Sequence, residues 1–262
     1  MQFLADKINS MSDPDTNQWA LAHYKLTADI DATAADENDL AVDQIGVYAS
    51  GPNYVNDALR HMFAGTFDGD NHTIMLGMTK DALNEAWPNS TSVALFGATY
   101  DKATPENPVV FRNLTIAGSV DGEDLPAAGL VYFNRGAVVY ENVANKATVA
   151  GSDVGGIASL AWGGRWGGQG SNPSSAATVL RNCSNSGSVT GMNAYAGGLV
   201  GSSTGLLLDG CENSGAVSNL FEGPAGNHSL PPLYRVALAE LLLGLRWDNT
   251  NSERTIFLNL PS

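Results

Sequence analysis

Residues 181–191 read RNCSNSGSVTG, and 28 positions later residues 209–219 read DGCENSGAVSN. Self-similarity at a period of this size predicts a stack of equal units, each burying an apolar face on the next. The same frame runs backwards through the chain. Asn113-Leu114, Asn142-Val143, Asn182-Cys183 and Gly210-Cys211 hold one position of the unit, and Val120, Val149, Val189 and Val217 hold another. A third element lies between them, as Ala128-Gly129-Leu130-Val131, Gly155-Gly156-Ile157-Ala158 and Gly197-Gly198-Leu199-Val200.

Each unit divides into three short runs, such as Leu180 to Ser184, Gly187 to Gly191 and Gly197 to Gly201, with Gly, Asn and Ser between them. Short apolar runs bounded by turn formers are strand signals. Three strands and three corners in about 28 residues predict one rung of a parallel β-helix, with Leu180, Cys183, Val189, Leu199 and Val200 pointing inward. A propeller blade needs about 40 residues and antiparallel strands, and fits less well.

The spacing also fails once. Asn113 to Asn142 is 29 residues and Asn182 to Gly210 is 28, but Asn142 to Asn182 is 40. The surplus of about 12 residues falls within Ser159 to Ser175 and predicts an excursion from the coil.

The flanks have a different texture. Residues 2 to 10 predict a helix with Phe3, Leu4 and Ile8 on one side, and Tyr24 to Ile30 predicts a strand. An open stack end needs a cover, so residues 1–20 are expected to be an N-terminal cap and 21–219 the parallel β-helix. Residues 220–262 contain the helix-like, apolar stretch Leu233 to Trp247, which is either a C-terminal cap or a foreign tail.

Composition narrows the function. Acidic residues outnumber basic ones 27 to 13, a net charge of -14, which repels phosphate backbones and anionic lipid surfaces. Nucleic acid and membrane insertion are therefore not expected. Fourteen acidic residues precede position 90 against four basic ones, while the repeats of 177–219 carry almost no charge. The opening Met-Gln-Phe-Leu-Ala-Asp-Lys is not a secretory signal. The chain is thus either intracellular or a piece of a longer exported protein, and the Gly-, Asn-, Ser- and Thr-rich repeats favour the second. Cys183 and Cys211 share one repeat position, where parallel side chains are poorly disposed for a disulfide, so two free stacked thiols are expected.

Several residues are candidates for chemistry. Trp162, Arg165 and Trp166 lie in the Gly-rich excursion and could stack on sugar faces or clasp an aromatic peptide side chain; alternatively both indoles fold back on the coil. Asp29, Asp31, Asp68 and Asp70 are weak candidates for a cation such as calcium. However, Asp68-Gly-Asp-Asn-His72 lacks calcium-loop spacing and reads more simply as a turn. Asn145, Asn185 and Asn213 form one column and predict a ladder of stacked amides. The four histidines have no zinc spacing, and there is no nucleophile elbow or phosphate loop, so no catalytic residue and no cofactor are assigned.

These motifs together resemble those of bacterial surface proteins carrying GLUG-type repeats. Gly197-Gly-Leu-Val-Gly201 with Cys211, Asn213, Gly215 and Val217 is similar to the GGLVG and N-C-x-N-x-G-x-V pattern, and Cys183, Asn185, Gly187 and Val189 repeat it. Phe63 to Ile74, Tyr24 to Asp31 and Gln44-Ile-Gly46 are similar to the segments that precede such repeats. Asn142 to Val149 departs in lacking the cysteine and glycine, and Ala94-Leu-Phe-Gly97 is a degenerate GLVG. The resemblance covers about residues 3–219. It implies a right-handed parallel β-helix, export, and a place in a large multidomain surface protein, adhesin-like and non-catalytic, with a glycan or host surface protein as partner. The competing expectation is a polysaccharide lyase or glycoside hydrolase, by analogy of fold alone. Its carboxylate pair would have to come from the N-terminal acids.

Overall fold

The computed structural model describes residues 1–10, 17–33, 43–46, 62–81, 83, 90–161, 178–193, 195–203 and 205–220. They are all-β apart from short helices near the N-terminus and helical residues at 80, 81 and 83, and the paired strands run parallel.

The strands fall into three sheets. The largest holds β1 (His23–Lys25), β2 (Ile30–Ala32), β3 (Thr66–Thr79), β5 (Val109–Asp121), β8 (Val138–Asn145), β9 (Thr148–Gly151), β12 (Thr178–Arg181), β13 (Ser184–Asn185), β14 (Val189–Gly191), β17 (Leu206–Asp209), β18 (Glu212–Asn213) and β19 (Val217–Asn219). The second is β6 (Ala127–Ala128), β10 (Val154–Gly155) and β15 (Ala196–Gly197). The third is β4 (Phe96–Ala98), β7 (Val131–Asn134), β11 (Ala158–Ala161) and β16 (Val200–Ser203).

Register follows the repeat. Tyr140 pairs with Leu180 and Leu180 with Leu208; Val149 pairs with Val189 and Val189 with Val217. Ala128, Gly155 and Gly197 pair in turn, as do Val131, Ala158 and Val200. The degenerate GLVG keeps its place, with Phe96 opposite Val131. Parallel pairing of equal positions puts like on like in most columns, with exceptions such as Thr178 beside Val138 and Asn145 beside Ile116. Val109, Val138 and Thr178 form one buried column, and Leu114, Val143 and Cys183 another. A third starts with aromatics: Phe111 stacks on Tyr140 with centroids 5.4 Å apart, and Leu180 follows. Phe63, Phe67 and Phe96 pack around its lower end.

Three sequence expectations need correction. The helix forms as α1 (Gln2–Asn9), and Leu4 and Ile8 enter the core, but Phe3 is 61% exposed and meets Trp19 of α2 (Gln18–Leu21) edge-on. Leu4 and Ile8 are four apart and share a face, whereas Phe3 and Ile8, five apart, do not. The strand expected over Tyr24 to Ile30 is two strands, β1 and β2, which pair with β3 on either side of a bulge. Between Asp68 and His72 the register of β3 against β5 shifts, with Asp70 and Asn71 in the left-handed region. The segment read as a turn is thus a β-bulge inside a long strand.

Candidate functional site

Trp162, Arg165 and Trp166 lie outside the described residues; their anchor points do not. The excursion leaves after Ala161, the last residue of β11, and returns at Thr178, the first of β12. The equivalent links in other units are shorter: residues 99–108 stand between β4 and β5, residues 135–137 between β7 and β8, and residues 204–205 between β16 and β17. Beside the anchor runs a buried polar chain. Tyr140 Oη donates to Asn134 Oδ1 at 2.7 Å, and Asn134 Nδ2 donates to Thr178 Oγ1 at 3.4 Å. Burial pushes the Tyr140 hydroxyl well above the usual tyrosine range, so it is a fixed donor. Next to it Arg135 covers Phe133 and lies 3.7 Å from Asp101.

The four candidate metal-binding carboxylates each have donors of their own. Asp29 accepts from Thr73 N at 2.9 Å and lies 3.1 Å from His72 Nδ1; these two contacts lower its pKa. Asp31 accepts from Thr33, whose hydroxyl and backbone amide lower its pKa. Asp68 is held by Arg112 Nε at 2.9 Å, Asp70 N at 3.0 Å and Asn113 Nδ2 at 3.1 Å. Desolvation pushes its carboxyl up, but the donors outweigh it and the net shift is down. Asp70 pairs with Lys25 Nζ at 3.0 Å. The arrangement is one of local ion pairs and turn bonds, and among the described residues no group of three His, Cys, Asp or Glu side chains is placed to hold a metal.

Two ladders of asparagine run along the units. The inner one is the expected column: Asn145 Nδ2 donates to Asn185 Oδ1, and Asn185 Nδ2 to Asn213 Oδ1, both at 2.7 Å. Each amide also bonds a carbonyl two residues on, such as Gly187 O for Asn185. The second glycine of the unit's Gly-Gly pair packs against this ladder and against the backbone of the next unit. A Cβ on Gly156 would lie 2.0 Å from Gly198 O and 2.8 Å from Asn185 Oδ1, so the chain closes there only without a side chain. The outer ladder was legible as a column, but its hydrogen bonding was not. Asn182 donates to Asn142, Asn142 to Asn113 and Asn113 to Asp68, and all three asparagines are left-handed, with φ between 51° and 53°. The signal was there: asparagine and then Gly210 are the residues that tolerate this conformation.

The cysteines are unbridged, with Cys183 buried and Cys211 half-buried. Cys183 N donates to Cys211 Sγ at 3.4 Å. Its contact with Cys211 and its burial push the Cys183 thiol up, while donation from Cys183 holds Cys211 down.

No family model matches the chain, and no curated protein matches it. Among solved structures it is similar to a "putative immunoglobulin A1 protease" from Bacteroides ovatus, at 20% identity and a TM-score of 0.46, over 76% of this chain and 52% of that one. The chain therefore spans about half the length of that structure.

Proposed function

We propose that residues 21–219 are a right-handed parallel β-helix of the GLUG-repeat kind, working as a non-catalytic, adhesin-like module of a larger bacterial surface protein. The observation that carries this reading is the in-register stacking of equal positions from successive repeats, with both asparagine ladders built on it. A stack of this sort gains its cohesion from one unit lying on the next, so it lengthens by adding units and carries load or loops at a distance from the cell. The near-uncharged repeats and the engagement of the candidate carboxylates in local ion pairs and turn bonds support a scaffold over an acid–base site. Trp162, Arg165 and Trp166, in the segment between β11 and β12, are the ligand-binding residues of the module, and a glycan or a host surface protein is the ligand.

The test is an array of glycans and host-matrix proteins, probed with the intact chain and with Trp162→Ala/Trp166→Ala. Binding by the intact chain that vanishes in the variant, at unchanged circular dichroism, supports a recognition module. Binding that survives the double substitution removes the site, and no binding at all leaves the module as a spacer. Cleavage of any arrayed polysaccharide overturns the non-catalytic reading.

A further inference from the structure

Four columns of the core open at their last described residue. Phe111, Tyr140 and Leu180 are buried, but their successor Leu208 is half-open. The same holds of Leu206 after Val138 and Thr178, of Cys211 after Val143 and Cys183, and of Val217 after Val149 and Val189. The inner amide ladder stops with them: among the described residues Asn213 Nδ2 donates only to Gly215 O, whereas Asn145 and Asn185 each donate to a carbonyl and to the next amide. Leu220, which follows, is 63% exposed. The last repeat thus presents an apolar end made of Leu206, Leu208, Cys211 and Val217, flanked by strand edges.

We infer that residues 233–247 of this same chain cover that end. The segment begins 13 residues after Leu220 and carries Tyr234, Leu238, Leu241 and Leu245 at helical spacing on one face, with Arg235, Glu240 and Arg246 off it. The intervening residues 221–232 reach at most about 40 Å when extended, ample for the distance. The tether gives the segment an effective concentration in the millimolar range, far above that of a second copy in dilute solution. The other end is closed by the same device: Leu4 and Ile8 of α1, also four apart, are inserted in the core. This inference goes beyond the surface-module reading and stands or falls separately from it.

Cys211 is one of the four half-buried residues of that end and reports its cover. In the full chain with Cys183→Ala, the reaction of Cys211 with an aromatic disulfide reagent is expected to be at least tenfold slower than in the urea-unfolded chain, at any protein concentration. Adding Leu238→Asp, Leu241→Asp and Leu245→Asp is expected to speed it at least fivefold with the circular dichroism of the sheets unchanged. In parallel, Leu241→Cys is expected to cross-link to Cys211 within one chain through a short bismaleimide, and Glu240→Cys, off that face, much less. The inference is overturned by a Cys211 as reactive as in the unfolded chain or by protection that grows with protein concentration, which would mean a second copy. An unchanged rate in the triple variant also overturns it. Should that variant lose its fold, equal cross-linking from positions 240 and 241 is the overturning result.

Discussion

Asn185 shows how a single side chain is fixed by position in a repeat. Its amide accepts from Asn145 and donates to Asn213 and to Gly187 O, so truncation strands the buried Asn145 on one side and the half-buried Asn213 on the other. Asn185→Ala is expected to cost about 2–3 kcal/mol in urea unfolding, since each stranded buried polar group costs about 1–3 kcal/mol. Asp68 makes the pH counterpart. Its folded pKa is below its ordinary value, so its contribution is present above the unfolded pKa of about 4 and is lost as pH falls through the lower folded value. The stability difference between the native protein and Asp68→Asn is therefore expected to be steady near neutrality and to shrink below about pH 4. A difference that instead grew on acidification would contradict the Arg112 and Asn113 contacts. Gly210 stands where three earlier units have a left-handed asparagine, and its own φ is 61°. Gly210→Asn is expected to be tolerated to within about 0.5 kcal/mol and Gly210→Val to cost at least about 1 kcal/mol, because a β-branched residue is an outlier in that region. Thermal melts of the two variants decide it.

At the scale of elements, the links between strands matter as much as the strands. Residues 162–177 stand between β11 and β12 in sequence, where the neighbouring units have only residues 135–137 and 204–205 between the equivalent strands. Replacing 162–177 with a two-residue link is expected to leave the melting temperature within a few degrees, since short closures are the cheaper ones entropically. A collapse of the fold would mean that the excursion packs on the units and is structural. Elements were legible to different degrees. The alternating runs of 109–219 gave strands at the expected places because a half-buried strand must alternate. Tyr24 to Ile30 reads as one strand, since nothing local reveals that β3, some 40 residues away, inserts a bulge opposite it.

For the whole molecule, the charge balance has a consequence that no single contact carries. A net charge of -14 on 262 residues opposes compaction, and most of the surplus lies before residue 90. Raising ionic strength from about 10 to 150 mM shortens the screening length from about 30 to 8 Å, so the melting temperature is expected to rise by a few degrees. A fall would mean that the surface pairs Lys25–Asp70 and Arg112–Asp68 outweigh the general repulsion. The period of the chain by itself determined which residues share a column, which columns are apolar, and that the pairing is parallel, because in-register stacking of like positions is the arrangement in which each unit buries the same face. Only the tertiary structure decided which carboxylates meet which donors, that the asparagines at the corners form a second ladder, and that the described residues by themselves leave Leu206, Leu208, Cys211 and Val217 half-covered. Those depend on the approach of segments 28 to 45 residues apart, and on where a stack ends, and neither quantity is written in any local pattern.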